Sequence, residues 1–86
     1  MMTINNVSDA VKKARDKLVE MNGMMGVVML QIVSANLINY DKNENKPTWK
    51  VVCSYYTDMS GSERVKREVF IDKATGDVVD YNGFHK

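Results

Sequence analysis

The sequence predicts an α+β domain in which one N-terminal amphipathic helix packs on a four-stranded antiparallel β-meander. Apolar residues recur at helical spacing near the N-terminus, and segments rich in β-branched and aromatic residues follow toward the C-terminus. The segments between them are polar, and several contain the glycine or proline that is typical of chain reversals. At 86 residues, the whole chain, 1–86, is expected to form a single small domain with one core.

The helix is predicted to run from Asn6 or Val7 to about Met21. Its buried stripe is defined by spacings of three and four, at Val7, Ala10, Val11, Ala14, Leu18 and Met21. Asn6 is the expected N-cap, and Gly23 is expected to end the helix with a positive φ. The two alanines of the stripe would allow the helix to lie close to a sheet.

The first strand is predicted from the apolar run Val27–Val33, which follows Gly26. It is expected either to be apolar on both faces, or to have a bulge near Ser34–Asn36 and to continue through Leu37, Ile38 and Tyr40. A short helix over Leu30–Leu37 is the alternative interpretation of the same residues.

The second strand is predicted over residues 48–57, after a polar loop at 41–47. Pro47 in that loop argues against a central-strand position, because proline has no N–H to donate to a neighbouring strand. The strand alternates in polarity, and its predicted core face consists of Trp49, Val51, Cys53 and Tyr55.

A β-hairpin at residues 68–80 is the clearest local prediction. Two runs rich in Val, Ile and Phe flank a polar segment, so the chain must reverse between them. Asp72 is expected to accept a hydrogen bond from a backbone N–H two residues on, and Thr75 precedes Gly76. Gly76 is expected to take the positive φ that the turn needs.

The third strand is predicted over 63–72, after a turn at 58–62, and the fourth over 78–81. Residues 82–86 are expected to be a tail. On the third strand the alternation places Val65, Arg67, Val69 and Ile71 on one face and Lys66, Glu68, Phe70 and Asp72 on the other.

One helix cannot cover both faces of a four-stranded sheet, so the face opposite the helix is a candidate partner-binding surface. Its predicted members are Lys50, Val52, Tyr56, Lys66, Glu68 and Phe70. Aromatic side chains left on that face would have to meet solvent, a second copy of the chain or another partner. An edge strand and the loop at 41–47 are further candidate binding elements.

The order of the elements and the final hairpin resemble the PepSY domain family. The residues that carry the resemblance are the inner-face alanines Ala10 and Ala14, the segment Trp49-Lys50-Val51-Val52, and the strand-turn-strand from Val69 to Val79. The resemblance extends from about Ile4 to Tyr81. It implies a cystatin-like arrangement of helix and sheet and a non-enzymatic role, since such domains accompany propeptides of thermolysin-type proteases and are proposed to regulate peptidases. Unlike the common pattern, this chain is expected to stand alone and to lack a signal peptide.

The residues that carry chemistry in other proteins have structural interpretations here. Cys53 is expected to be a buried thiol, and His85 to be solvated. Asp72, Asp77 and Asp80 are expected to serve turn formation rather than calcium binding. The cluster of Met21, Met24, Met25 and Met29 is expected to fill the core, with partner binding as the alternative. No cofactor, metal site or enzymatic activity is therefore expected.

The composition disfavours several classes of partner. Lys and Arg number 12 against 11 Asp and Glu, a net charge of +1, so no strong attraction to nucleic acid or anionic lipid is expected. The chain has no long apolar run, and we expect a cytoplasmic protein without a membrane association. The favoured hypothesis is a protein-binding or regulatory module, with self-association into a homodimer included. A sheet that binds single-stranded nucleic acid is the alternative, because aromatic residues among lysines can stack bases.

Overall fold

The computed structural model confirms the α+β prediction. It describes residues 6–23, 27–56 and 64–85, with only the backbone for the last three. The elements are α1 (Val7–Asn22), β1 (Val28–Tyr40), a 3₁₀ turn (Asp41–Asn43), β2 (Lys46–Tyr56), β3 (Arg64–Asp72) and β4 (Val78–His85). The strands form one antiparallel sheet in the order β1-β2-β3-β4, and α1 packs on one face of that sheet.

Both ends of α1 lie where the sequence predicts them. The side-chain oxygen of Asn6 accepts a hydrogen bond from the Asp9 N–H at 2.9 Å, which satisfies one of the free donors of the first turn. At the other end, Gly23 has a φ of +80° and its N–H donates to the Val19 carbonyl at 2.7 Å. The helix ends at Asn22, one residue beyond the predicted end.

The core lies between α1 and the facing side of the sheet. Its buried members are Ala10, Ala14, Leu18, Trp49, Val51, Cys53, Tyr55, Val65, Val69 and Ile71. The predicted core face of β2 is therefore confirmed in full, as are the three apolar core positions of β3. Two of the three buried helix residues are alanines, so the helix axis approaches the sheet closely and the strands supply most of the buried volume.

Arg67 shares the core face with these residues because the Tyr55 hydroxyl of β2 offers it a polar partner. Its Nε donates to the Tyr55 hydroxyl at 3.2 Å, and that hydroxyl also accepts from the Asn22 side-chain amide at 3.3 Å. The Arg67 guanidinium lies over the Tyr81 ring, 5.8 Å from its centroid, within the roughly 6 Å at which a cation is attracted to an aromatic face. The C-terminal end of α1 is thus joined to the middle of the sheet by hydrogen bonds as well as by packing.

The segment 28–40 is a strand, as predicted, and not the alternative helix. Its irregularities lie earlier than expected: the register with β2 shifts between Val28 and Gln31 and again between Ile32 and Ser34. The irregularity that one alternative placed near Ser34–Asn36 thus lies immediately before that segment, between Ile32 and Ser34, and residues 34–36 pair regularly with β2. The run of apolar residues before Ser34 has no alternation from which the phase of the strand could be read, which explains the displacement.

Pro47 lies in β2, a central strand, contrary to expectation. It is opposite Asn39 of β1, and its carbonyl accepts a hydrogen bond from the Lys73 N–H at 3.1 Å. Because the N and the C=O of a strand residue point to the same side, the missing N–H faces Lys73, just beyond the end of β3. The proline therefore removes no hydrogen bond from the β1–β2 pairing.

The fourth strand extends to His85, so the predicted tail at 82–86 is wrong for residues 82–85. These residues continue the pairing with β3, where Glu68 is opposite Asn82 and Val65 is opposite His85. The dipeptide Asn82-Gly83 is typical of turns, and the pairing with β3 overrides that local preference. The predicted turn at 58–62 lies outside the described residues.

The hairpin between β3 and β4 has the predicted chemistry. One carboxylate oxygen of Asp72 accepts from the N–H groups of Ala74 and Thr75 at 2.8 and 3.0 Å. The Thr75 hydroxyl accepts from the Asp77 N–H at 3.2 Å, and Gly76 has a φ of +78°. The roles of Asp72, Thr75 and Gly76 in the turn are thus confirmed.

We expect Gly76→Ala to lower the free energy of unfolding by more than about 1 kcal/mol, because a side chain at positive φ is strained. Ala74→Ser, in the same turn, is the matched control and should change it by less than about 0.5 kcal/mol. Urea titration of both variants checks the prediction. Equal stability of Gly76→Ala and the parent would show that the turn tolerates a side chain at this position.

Candidate protein-binding surface

The predicted open face exists, and the sheet's own side chains cover much of it. The register places Lys50 opposite Phe70, Val52 opposite Glu68, and Tyr56 opposite Arg64, all on the side away from α1. The Lys50 ammonium forms an ion pair with Glu68 at 3.2 Å. Lys66, Val52 and Tyr56 are half-buried. These predicted binding residues do share one face, and part of their surface is accessible.

Phe70 is not available as an exposed binding residue. It is only 4% exposed, because the Tyr40 ring lies flat on it with the ring centroids 4.1 Å apart. Tyr40 comes from the end of β1 and reaches across β2 to make this contact. The expectation that Phe70 would meet solvent or a partner is therefore wrong, although its assignment to this face is correct.

The Tyr40 hydroxyl lies beyond the Phe70 ring, next to β4, where it donates a hydrogen bond to the Asp80 carboxylate. Burial, followed by this contact with Asp80, raises the pKa of Tyr40 to about 12. The same hydrogen bond, with one from the Tyr81 N–H, holds the pKa of Asp80 below its ordinary value. One side chain thus connects the two edge strands across the open face.

The opposite end of the open face is covered by an arginine. The Arg64 guanidinium lies 5.0 Å from the centroid of the Tyr56 ring and donates a hydrogen bond to the Gln31 side chain on β1. A cation above an aromatic ring is attracted to its π face, so the Tyr56 ring already has a partner within the chain.

Beside the hairpin, a polar network joins the 3₁₀ turn to β2 and β3. The Asn43 side-chain amide donates to Asp72 at 2.8 Å and to the Thr48 hydroxyl at 2.9 Å. The Asn43 hydrogen bond and the Thr75 N–H lower the pKa of Asp72. Asp72 is thus fully engaged in structure and has no free oxygen directed at a ligand.

Three kinds of residue that carry chemistry in other proteins remain: the Cys53 thiol, possible metal ligands, and His85. Burial raises the pKa of the Cys53 thiol to about 11, so the nucleophilic thiolate is scarce at neutral pH. Within residues 6–23, 27–56 and 64–85, no three His, Cys, Asp or Glu side chains lie close enough to hold a metal ion. The side chain of His85 lies outside the described atoms.

Cavities and a buried hydroxyl are the remaining features that could serve a small-molecule site. A cavity of about 290 Å³ lies beside the hairpin and is lined by Lys46, Pro47, Asp72, Lys73 and Ala74. Another, of about 330 Å³, lies between α1 and the start of β4 and is lined by Lys13, Asp16, Lys17, Glu20, Asp77 and Val78. The buried Ser54 hydroxyl has no hydrogen-bond partner among the described residues, and Ser54 lines neither of these cavities. These features do not converge on one ligand.

The two most exposed large apolar side chains that the structure describes lie on β1: Met29 is 72% exposed and Val33 is 54% exposed, and Ile32 and Leu37 on the same strand are also exposed. Val7 is 48% exposed, so its predicted place in the buried stripe of α1 is wrong; it lies at the first position of the helix. Met21 on α1 is exposed as well, so the expectation that Met21 and Met29 fill the core is wrong; Met24 and Met25 lie outside the described residues. Sequence reasoning missed this surface because the apolar run of β1 has the composition of a buried strand.

β1 is an edge strand, and it lacks the charges by which edge strands usually avoid pairing. No described residue pairs with it on the side away from β2, and no charged residue occurs between Val27 and Tyr40. The other edge, β4, is shorter and contains Asp80. After the last register shift, the seven residues Ser34–Tyr40 form a regular strand with an open edge.

The backbone groups of that edge can be assigned. The Tyr40 carbonyl points toward β2, since it accepts from the Asn45 N–H at 2.8 Å. Directions alternate along a strand, so Ala35, Leu37 and Asn39 point their N–H and C=O groups outward. Pro47 opposite Asn39 has no N–H to donate, which agrees with this assignment. The candidate functional site is therefore an edge whose backbone groups pair with no described residue and whose exposed side chains, Asn36, Leu37 and Asn39, carry no charge.

Comparisons of the chain with protein-family models, with curated proteins and with solved structures find no match. The described helix is too short and too polar to cross a membrane.

Replacing Phe70 by Ala should destabilise the fold by about 3–5 kcal/mol, because the change removes a buried ring and leaves a cavity under Tyr40. Val52→Ala, at a half-buried position of the same face, should cost less. Thermal and urea unfolding of both variants provide the measurement. A Phe70→Ala variant as stable as Val52→Ala would mean that burial of the Phe70 ring under Tyr40 contributes little to the stability of the fold.

The Tyr40 to Asp80 hydrogen bond should make stability depend on pH at both extremes. Tyr40 has a raised pKa, so its contribution is complete below its ordinary value of 10.0 and is lost as the pH rises through about 12. Asp80 has a lowered pKa, so its contribution is present above the ordinary carboxyl pKa and is lost as the pH falls through the folded-state pKa.

Tyr40→Phe keeps the stacking on Phe70 and removes the hydroxyl, so it should be less stable than the parent at pH 7 by about 1–2 kcal/mol. The difference should shrink at strongly acidic pH and again above pH 10. Urea unfolding of both proteins as a function of pH measures it. A constant difference across the whole range would exclude a contribution from this hydrogen bond.

Proposed function

We propose that the protein is a non-enzymatic binding module whose binding element is the edge of β1, which takes up an extended segment of a protein partner as an additional strand. The observation that carries this proposal is the regular, uncharged edge at Ser34–Tyr40 with its outward backbone groups. In this mode of recognition, backbone hydrogen bonds supply affinity and the flanking side chains supply selectivity. Apolar partner side chains would be preferred, because β1 offers no charge to pair with.

The PepSY resemblance supplies one specific class of partner for this edge, a thermolysin-type metallopeptidase. A segment of the peptidase that pairs with β1 would be held in an extended conformation, and the module would then regulate the enzyme. This part of the proposal rests on the resemblance of the hairpin and of the element order. It is tested by adding the module to such a peptidase and measuring hydrolysis of a peptide substrate.

Binding of single-stranded nucleic acid has less support from the geometry. Phe70 is covered by Tyr40, the Tyr56 ring is covered by Arg64, and Lys50 is paired with Glu68. Base stacking needs an accessible aromatic face, and Phe70 and Tyr56 each have a ring face occupied by a partner within the chain.

Asn39→Pro tests the proposed function at the backbone. The substitution removes an N–H that points away from β2, so the fold should persist while an added strand loses a hydrogen bond and meets the proline ring. Asn39→Ala is the matched control, since it removes the same side chain and keeps the N–H.

A photo-crosslinking amino acid at Leu37, in cells that produce the protein, reports what lies at this edge. We expect a crosslinked protein with the parent and with Asn39→Ala, and at least a tenfold loss with Asn39→Pro. The same crosslinker at Val79 on β4 should capture little. Equal capture at both positions, or capture that Asn39→Pro does not reduce, would contradict the proposal.

A further inference from the structure

The outward groups of the β1 edge are symmetric about Leu37. Ala35 and Asn39 lie two residues to either side of it, and all three point their backbone groups outward. When the same strand approaches in the opposite direction, Leu37 is opposite Leu37 of the second copy, and Ala35 is opposite its Asn39. Each pair can then exchange two N–H···O bonds, as the hydrogen-bonded pairs of an antiparallel ladder do.

We propose that a second copy of this chain occupies the β1 edge, antiparallel and related by a two-fold axis beside Leu37, so that two sheets join into one of eight strands. The proposal rests on the proposed function and names its partner. The register leaves no outward backbone group of Ala35, Leu37 or Asn39 unpaired.

The charge pattern of β1 suits self-pairing. Near a two-fold axis a charged side chain meets its own copy, and like charges directly opposite each other destabilise a strand pair. The chain is 27% charged, yet no charged residue occurs from Val27 to Tyr40. Pairing with a different protein would not require β1 to be free of charge, since a charged residue on β1 could then lie opposite a residue of the opposite charge on the partner.

The side chains at the axis also suit a second copy. Leu37 lies on the helix side of the sheet and is 46% exposed, and in this register it would contact Leu37 of the other chain. On the open face, Asn36 would be opposite Ile38 and Ser34 opposite Tyr40, again without charge. The register shift at Val33 ends the regular strand on one side and the 3₁₀ turn ends it on the other, which limits the pairing to this length.

Substitutions at Leu37 test the register directly. The parent should sediment as a dimer in analytical ultracentrifugation, with dissociation on dilution over about a hundredfold range of concentration. Leu37→Lys and Leu37→Glu should each raise the dimer dissociation constant at least tenfold, because each places like charges opposite each other. An equimolar mixture of the two variants should restore a dimer, since the pair then carries opposite charges.

Two controls keep the test independent of folding. Leu37 is exposed, so the circular dichroism of both variants should match the parent, and their thermal unfolding should match that of the parent diluted below its dimer dissociation constant, since dimerisation itself raises the apparent Tm. Val79→Lys, on the other edge at a residue that is 40% exposed, should leave the dimer intact.

The outcomes separate this inference from the proposed function. A monomeric parent, a dimer that Leu37→Lys does not weaken, or a variant mixture that stays monomeric would overturn the second copy as the partner. If the crosslinker at Leu37 then captures another protein in an Asn39→Pro-sensitive way, the binding edge stands and only its occupant changes. If it captures nothing, the proposed function fails together with the dimer.

Discussion

The structure depends on one geometric constraint, which is that a single helix can cover only one face of a four-stranded sheet. The covered face holds the apolar core, with two alanines that bring α1 close to the strands. The other face must be closed by the sheet's own side chains, or apolar rings would remain in water. Tyr40 closes one end by stacking on Phe70, and Arg64 closes the other over Tyr56. Because the two faces are satisfied in this way, the unpaired surface that stands out among the described residues is the edge of β1.

Much of the fold could be predicted from local patterns. The helix ends were predictable because Asn6 and Gly23 act through their immediate neighbours, and the β3–β4 turn was predictable because Asp72 and Gly76 satisfy it within a few residues. The core face of β2 followed from its strict alternation. In contrast, the prediction that Pro47 excludes a central strand was wrong, because tertiary structure sets the direction in which its missing N–H points. The prediction of a tail at 82–86 was wrong for residues 82–85, because their pairing with β3 is also set by tertiary structure.

The candidate site was the least predictable part, for a physical reason. The alternation of residues along β3 predicted the correct face for Phe70. Its burial, however, depends on Tyr40, which is distant in sequence and reaches Phe70 across an intervening strand. An apolar, uncharged strand is equally typical of the middle and of the edge of a sheet, so composition alone could not identify β1 as the open edge. The sequence feature that could have identified this edge is an absence: the chain is rich in charged residues, and β1 contains none.

The contact of Tyr40 with Asp80 also constrains the order in which the protein can fold during its synthesis. Tyr40 is translated before β2, β3 and Asp80, and the groups that it stacks on and bonds to all follow it in the chain. Until β3 has left the ribosome, Tyr40 lacks the Phe70 ring on which it stacks, and until β4 follows its hydroxyl lacks the Asp80 carboxylate. The interval before β3 emerges is therefore the stage at which the Tyr40 ring and the uncharged edge of β1 are exposed together on the nascent chain.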